Sequence, residues 1–312
     1  MSEINENNIP IQEVVEDFLA ERNIRLFVLR EDLIHQEISG NKWRKLKYNI
    51  QEAKNQGFNR IVTFGGAYSN HIAATAAAGK HFGIETIGII RGEETLPLNI
   101  TLQFAAENGM KFKYVARSFY RDEKYHPTFL EELKNEFGAF YLVPEGGSNT
   151  FAVKGCIEIA NNITEDFDVI TCACGTGGTI AGIIASLDNS KEIVGFPALK
   201  GGDFLAKDIS DLLKSYSETF GKIIPNHNWK LNTDYHFGGY GKITNELVDF
   251  VNEIKAKHQI PLDLIYTGKM MFGIFHLAKT TGKLNGKNIV VVHTGGLQGN
   301  KGFVERLNIN LI

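Results

Sequence analysis

Residues 168–179 read DVITCACGTGGT. Val169 to Ala173 are β-branched or apolar, so 168–173 reads as a buried strand, a glycine turn follows, and IAGIIA then opens a helix. A strand running through glycines into a helix gathers free backbone N–H groups at the positive end of that helix, a nest suited to phosphate. No Gly-Lys-Ser/Thr closes the turn, so it is not a P-loop. Ile180 stands where the third glycine of a dinucleotide fingerprint belongs. The next strand ends in GFPAL, without the acidic residue that holds a ribose. The reading that remains is the phosphate of a small cofactor. The bland alternative is that glycine merely ends a strand.

Outward from this unit the same pattern recurs. Short apolar runs at 24–29, 59–64, 86–90, 111–115, 140–143, 192–196 and 287–293 read as strands. Helical periodicity falls near 41–55, 70–82, 98–108, 126–136, 150–162, 178–187, 203–217, 243–257 and 268–280. This alternation predicts an α/β protein with largely parallel sheets. Gly65-Gly66, Gly146-Gly147, Gly177-Gly178 and Gly295-Gly296 each follow a strand. Ligands of open α/β sheets bind beyond the carboxyl ends of strands, so these pairs suggest one shared cleft.

The 312 residues are enough for about two domains. No composition shift marks a boundary. The chain is 43% hydrophobic and 22% charged, with a net charge of −3. No basic excess favours nucleic acid or a membrane surface, which leaves a small-molecule partner. The N-terminus MSEINENNIP lacks the layout of a signal peptide, and no apolar run reaches membrane-spanning length, so a cytoplasmic protein is expected. Cys156, Cys172 and Cys174 are too few for a disulfide framework and lack partners at metal-ligand spacing; reduced core thiols and no metal are expected.

Four further segments carry chemistry. In SGNKWRKL (39–46), helical spacing aligns Lys42 with Leu46, Ile50 and Ala53, while Arg44, Lys45 and Tyr48 fall on other faces. Lys42 then sits at the positive end of a helix on its buried stripe, where both effects disfavour the ammonium form. A lysine poised to be neutral is what Schiff-base chemistry needs; a lysine that snorkels outward is the bland reading. In FGGAYSNH (64–71), Ser69 or Asn70 caps a helix and with it forms an anion site. Tyr240 in FGGYGK and Tyr266 in IYTGK are either core aromatics or cleft hydroxyls. His293-Thr294-Gly295-Gly296 ends the last strand and offers a neutral hydroxyl from Thr294.

Taken in order, GNKxRKL, GGxxSN, GTGGT, Tyr-Gly, YTGK and HTGG resemble the pyridoxal-phosphate enzymes of the tryptophan-synthase β fold, fold type II. Within them the chain is most similar to the branch of D-cysteine desulfhydrase and 1-aminocyclopropane-1-carboxylate deaminase. The resemblance runs from Arg30-Glu31-Asp32 to Gly296. It implies two open, twisted, mostly parallel sheets: a large cofactor domain of 1–45 and 149–312, and a small domain of 46–148 carrying the Ser69-Asn70 turn. It implies that Lys42 bonds to the aldehyde of pyridoxal 5'-phosphate, beside Asn41. Asn70 would bond the cofactor's phenolic oxygen, and Cys174, Gly175, Thr176, Gly177, Gly178 and Thr179 would hold its phosphate. Ser69, Asn70 and His71 would surround the substrate carboxylate, with Tyr240 and Tyr266 flanking the substrate. Ser69 and both tyrosines join Lys42 as catalytic candidates. A homodimer is the family habit.

Two positions split the branch. The deaminase pattern has Glu after the YTGK-type tyrosine and Leu in the final His-x-Gly-Gly; here Thr267 and Thr294 stand there, as in the desulfhydrases. A carboxylate at the pyridine nitrogen makes a stronger electron sink, which opening a cyclopropane needs and expelling a thiolate does not. The chain departs from the branch at the GTGGT loop, at Ala67-Tyr68, and at Leu297-Gln298, where a small residue and proline are usual. The expected activity is α,β-elimination on a small D-amino acid, D-cysteine giving pyruvate, sulfide and ammonia. The alternatives are 1-aminocyclopropane-1-carboxylate deamination and, in another class, a non-catalytic nucleotide-binding protein.

Overall fold

A computed structural model describes residues 4–307 and 309–311. Along the chain run β1 (Ile11–Val14), α1 (Asp17–Ala20), β2 (Arg25–Leu29), α2 (Asn41–Asn55), β3 (Arg60–Gly66), α3 (Asn70–Phe82), β4 (Glu85–Arg91) and α4 (Ile100–Glu107). There follow β5 (Lys111–Val115), α5 (Arg117–Glu123), α6 (Pro127–Phe137), β6 (Tyr141–Val143), α7 (Thr150–Cys156), β7 (Val169–Cys174), α8 (Gly178–Ser186) and β8 (Glu192–Pro197). The chain ends with α9 (Leu205–Phe220), β9 (Trp229–Leu231), α10 (Asn245–His258), α11 (Thr267–Thr280), β10 (Asn288–Val292) and α12 (Gln298–Leu307).

The strands form two sheets, ordered β1-β2-β10-β7-β8-β9 and β5-β4-β3-β6. All pairings are parallel except that of β1 with β2. Parallel strands need crossovers, and the helices supply them, covering both faces of the larger sheet. Hence β7, in mid-sheet, buries all six residues and reads as a continuous apolar run. Cys172 and Cys174 share one face of it, in an apolar cluster with Ile170, and Ala173 joins the cluster opposite. The first cluster continues through Leu46, Ile50 and Ala53 of α2 to Ile61 of β3 and Ala74 and Ala77 of α3, so one core links the two sheets.

Each strand expected from the sequence forms within a residue or two at its ends. The helix expected at 150–162 is α only to Cys156 and continues as a 3-10 turn over Ile157–Asn162. The sequence reading lacked β1, β9, α1, α5 and α12. Both strands lie at edges of the larger sheet and are four and three residues long, too short to show periodicity. No helix among the described residues is long and apolar enough to cross a membrane.

Candidate active site

A cleft of about 750 Å³ lies between the sheets. Its lining residues Gly66, Arg91, Glu145, Cys174, Leu199 and Thr294 sit at or just beyond the carboxyl ends of β3, β4, β6, β7, β8 and β10. Both sheets therefore aim their loops into one space, as expected for open α/β sheets.

The start of α2 fixes the position of Lys42. Gly40 has φ +63°, and a Cβ there would lie 2.0 Å from the Thr294 carbonyl oxygen. Only glycine lets α2 begin this close to the end of β10. Asn41 N donates to Thr294 O at 3.2 Å, and Asn41 Nδ2 donates to Thr179 Oγ1 at 2.7 Å. Lys42 stands half-buried on the cleft wall above Leu46, Ile50 and Ala53, which are buried. Desolvation, with the Lys45 cation nearby, lowers its pKa from 10.5 to about 7. Lys45 is buried too, contrary to the helical-wheel reading. Its Nζ donates to Gly146 O at 3.1 Å, Ser148 Oγ at 3.0 Å and Thr176 Oγ1 at 3.4 Å. Its partners come from about 100 residues or more along the chain, so no local pattern reveals them.

The glycine loop takes the expected form. β7 ends at Cys174, Gly177 adopts a left-handed φ of +77°, and α8 begins at Gly178. Thr176 Oγ1 lies 2.6 Å from Ser148 Oγ. The N-terminus of α8, the Thr176 hydroxyl and the Lys45 ammonium thus converge on one corner of the cleft, a donor set suited to a phosphate. Cys174, Gly175, Thr176, Gly177 and Thr179 line the cleft; Gly178 does not.

Ser69 caps α3, its Oγ accepting from His71 N at 3.2 Å and Ile72 N at 3.4 Å. Its hydroxyl hydrogen has no acceptor among the described residues and can serve a ligand. Thr63 Oγ1 donates to Val143 O at 2.8 Å, so it accepts from His71 Nε2 at 2.7 Å. That leaves His71 Nδ1 an unprotonated acceptor, buried and without a partner among the described residues. Burial and the Lys42 and Lys45 charges hold His71 well below its ordinary pKa, so it is neutral. Ser69, Asn70 and His71 all line the cleft.

Tyr266 and Tyr240 meet edge to face, with Tyr266 OH donating to Tyr240 OH at 3.5 Å. Both line the cleft. A Cβ on Gly175 would lie 3.1 Å from the Tyr266 ring, so the pair borders the glycine loop. Burial raises both phenol pKa values, and both hydroxyls keep their protons at neutral pH.

Thr294 lines the cleft but Thr267 does not. Thr267 Oγ1 accepts from Asp263 N at 2.9 Å and donates to Asp263 Oδ1 at 2.7 Å. That hydroxyl is committed within the loop and does not fit the cofactor contact expected of it. Sequence reasoning missed Asp263, buried among the apolar residues PLDLI, whose carboxylate also takes the N–H groups of Ile265, Tyr266 and Thr267. Among the described residues no group of three or more His, Cys, Asp or Glu side chains could hold a metal ion.

The corner of phosphate donors and a lysine whose pKa is lowered to about 7 suit a phosphorylated aldehyde. The comparisons agree. The model of the family described as pyridoxal-phosphate dependent enzyme matches residues 6–295. A Pyrococcus horikoshii protein with the provisional name 1-aminocyclopropane-1-carboxylate deaminase is 33% identical over 290 residues, covering 90% of this chain and 87% of its own length. The Arabidopsis thaliana mitochondrial bifunctional D-cysteine desulfhydrase/1-aminocyclopropane-1-carboxylate deaminase is 30% identical over 88% of this chain and 73% of its own. A solved structure described as that of an ACC deaminase homologue superposes with a TM-score of 0.84 at 31% identity, over 98% of this chain and 94% of that one. A nucleotide-binding protein without catalysis is set aside on this evidence: the chain belongs to the pyridoxal-phosphate dependent enzymes of fold type II.

Proposed function

We propose that this enzyme performs α,β-elimination on a small D-amino acid, with D-cysteine giving pyruvate, hydrogen sulfide and ammonia. When bound, pyridoxal phosphate supplies the electron sink for charge developing at Cα. Lys45, Thr176 and the start of α8 would hold the phosphate, and Lys42 would bond to the aldehyde. The Ser69 hydroxyl and the positive end of α3 orient the substrate carboxylate.

Proton traffic follows from the two directions of pKa shift. Once the substrate's amine has replaced it at the aldehyde, Lys42, lowered to about 7, has a neutral amine available near neutral pH and takes the Cα proton at Nζ. Tyr240 and Tyr266, shifted upward, stay protonated, and the pair donates a hydrogen bond to the sulfur as it leaves with the electrons of the Cβ–S bond. Water then hydrolyses the unsaturated amine to pyruvate and ammonia.

The observation that carries elimination over ring opening is the neutral wall at Thr294. Thr267 is turned to Asp263, whose oxygens are occupied by four donors. The acidic residues on the cleft lining are Glu145, paired with Lys124 at 3.3 Å, and Asp208, which is exposed. Without a carboxylate free to keep a pyridine nitrogen protonated, the weaker sink suffices for a thiolate leaving group but not for an unactivated cyclopropane. The names of the relatives favour the second reading, deamination of 1-aminocyclopropane-1-carboxylate to 2-oxobutanoate and ammonia. Keto-acid and sulfide release from both substrates in parallel separates the two. Pyruvate with sulfide from D-cysteine is expected; 2-oxobutanoate as the main product would replace this reading with the second.

A further inference from the structure

Gln298 breaks the sequence pattern of the branch and stands at the start of α12, yet it reaches Asn70, 228 residues earlier. Its Nε2 donates to Asn70 Oδ1 at 2.7 Å. Its own Oε1 accepts from Thr101 Oγ1 of α4 at 3.4 Å. A primary amide has one accepting and one donating end. A donor held against Oδ1 therefore turns Asn70 Nδ2 the opposite way. There it lies beside Gly296, where a Cβ would sit 2.9 Å from Nδ2. Asn70 and Gly296 both line the cleft, and Nδ2 has no partner among the described residues.

We infer that Gln298 is a positioning residue that locks the Asn70 amide with its N–H end toward the cofactor. The inference rests on the proposed reading of the cleft as the pyridoxal-phosphate site worked by Lys42. The acceptor is the cofactor's phenolate oxygen, adjacent to the aldehyde that Lys42 takes. An N–H aimed at that oxygen stabilises its negative charge and so favours loss of the proton shared at the Lys42 linkage. The Thr101–Gln298–Asn70 chain thus lets α4 and α12 set the proton equilibrium at Lys42 without touching the reacting atoms.

The test is a pH titration of the visible absorption of the holoenzyme. Gln298→Glu keeps shape and length but can only accept, so it turns the Asn70 amide around and presents Oδ1 to the phenolate. Gln298→Leu removes the lock without reversing it. The expected order of the titration midpoint is wild type lowest, Gln298→Leu higher and Gln298→Glu highest, the last by about one pH unit, a tenfold change. An added carboxylate alone also raises the midpoint, so both substitutions are repeated in an Asn70→Ala background. If Gln298 acts through Asn70, Gln298→Leu then no longer moves the midpoint, and Gln298→Glu moves it less than in the wild-type background, by its charge alone. Unchanged midpoints in the single variants, or shifts that persist undiminished without Asn70, overturn the inference. A wild-type protein that shows no visible band with pyridoxal phosphate overturns the reading of the cleft itself, and the inference falls with it.

Discussion

Lys42 and Lys45 stand three residues apart on one helix, and their surroundings assign them opposite tasks. Burial lowers the pKa of both; Lys45 has three oxygen acceptors to hold its N–H groups, whereas Lys42 has no side-chain acceptor among the described residues and is lowered to about 7. Only the neutral amine attacks an aldehyde, so the rate at which protein stripped of cofactor takes up pyridoxal phosphate should rise through a midpoint near pH 7 and level above it. A stopped-flow pH series checks this, and a rate still climbing near pH 10 contradicts it. Asp263 is a second residue with a sharp consequence. Asp263→Ala leaves four donors unpaired in a buried loop and should cost about 2–4 kcal/mol, read as a lower urea midpoint. Lys42 was legible because its stripe, Leu46, Ile50 and Ala53, is local. Lys45 and Asp263 were not, because their roles depend on partners or backbone geometry that periodicity does not encode.

At the level of elements, the site is a set of helix starts pinned to strand ends. α2 begins against the Thr294 carbonyl, α3 against the end of β3, and α8 against the end of β7. Gly40→Ala would place a methyl 2.0 Å from Thr294 O on a backbone of φ +63°. It should destabilise the protein by at least about 2 kcal/mol and abolish the visible band even in the fraction that folds. Ser69→Ala, which removes the cap of α3, should cost about 1 kcal/mol and lower kcat/KM for the amino acid with little effect on cofactor binding. The motifs at these junctions were readable from sequence because glycine and capping residues mark a strand end or helix start wherever they occur. What a junction touches was not. GNK and HTGG are about 250 residues apart, and their contact appears only when β10 inserts between β2 and β7.

The whole molecule is two mostly parallel sheets joined by one apolar core, with the cleft at the carboxyl ends of their parallel strands. Alternation of strand and helix made the α/β class and the parallel pairing legible, since parallel strands require crossovers. The relative placement of the sheets was not legible, because it rests on α2 and α3 packing across the join. A ligand that bridges the sheets stabilises the folded state, so saturating pyridoxal phosphate should raise the melting temperature, and by less in Lys42→Ala. The central claim is that Lys42, and not the equally desolvated Lys45, carries the cofactor. Borohydride reduction of the holoenzyme followed by peptide mass spectrometry tests it most directly. The phosphopyridoxyl group is expected on Lys42; its recovery on Lys45, or on no lysine at all, would contradict this assignment.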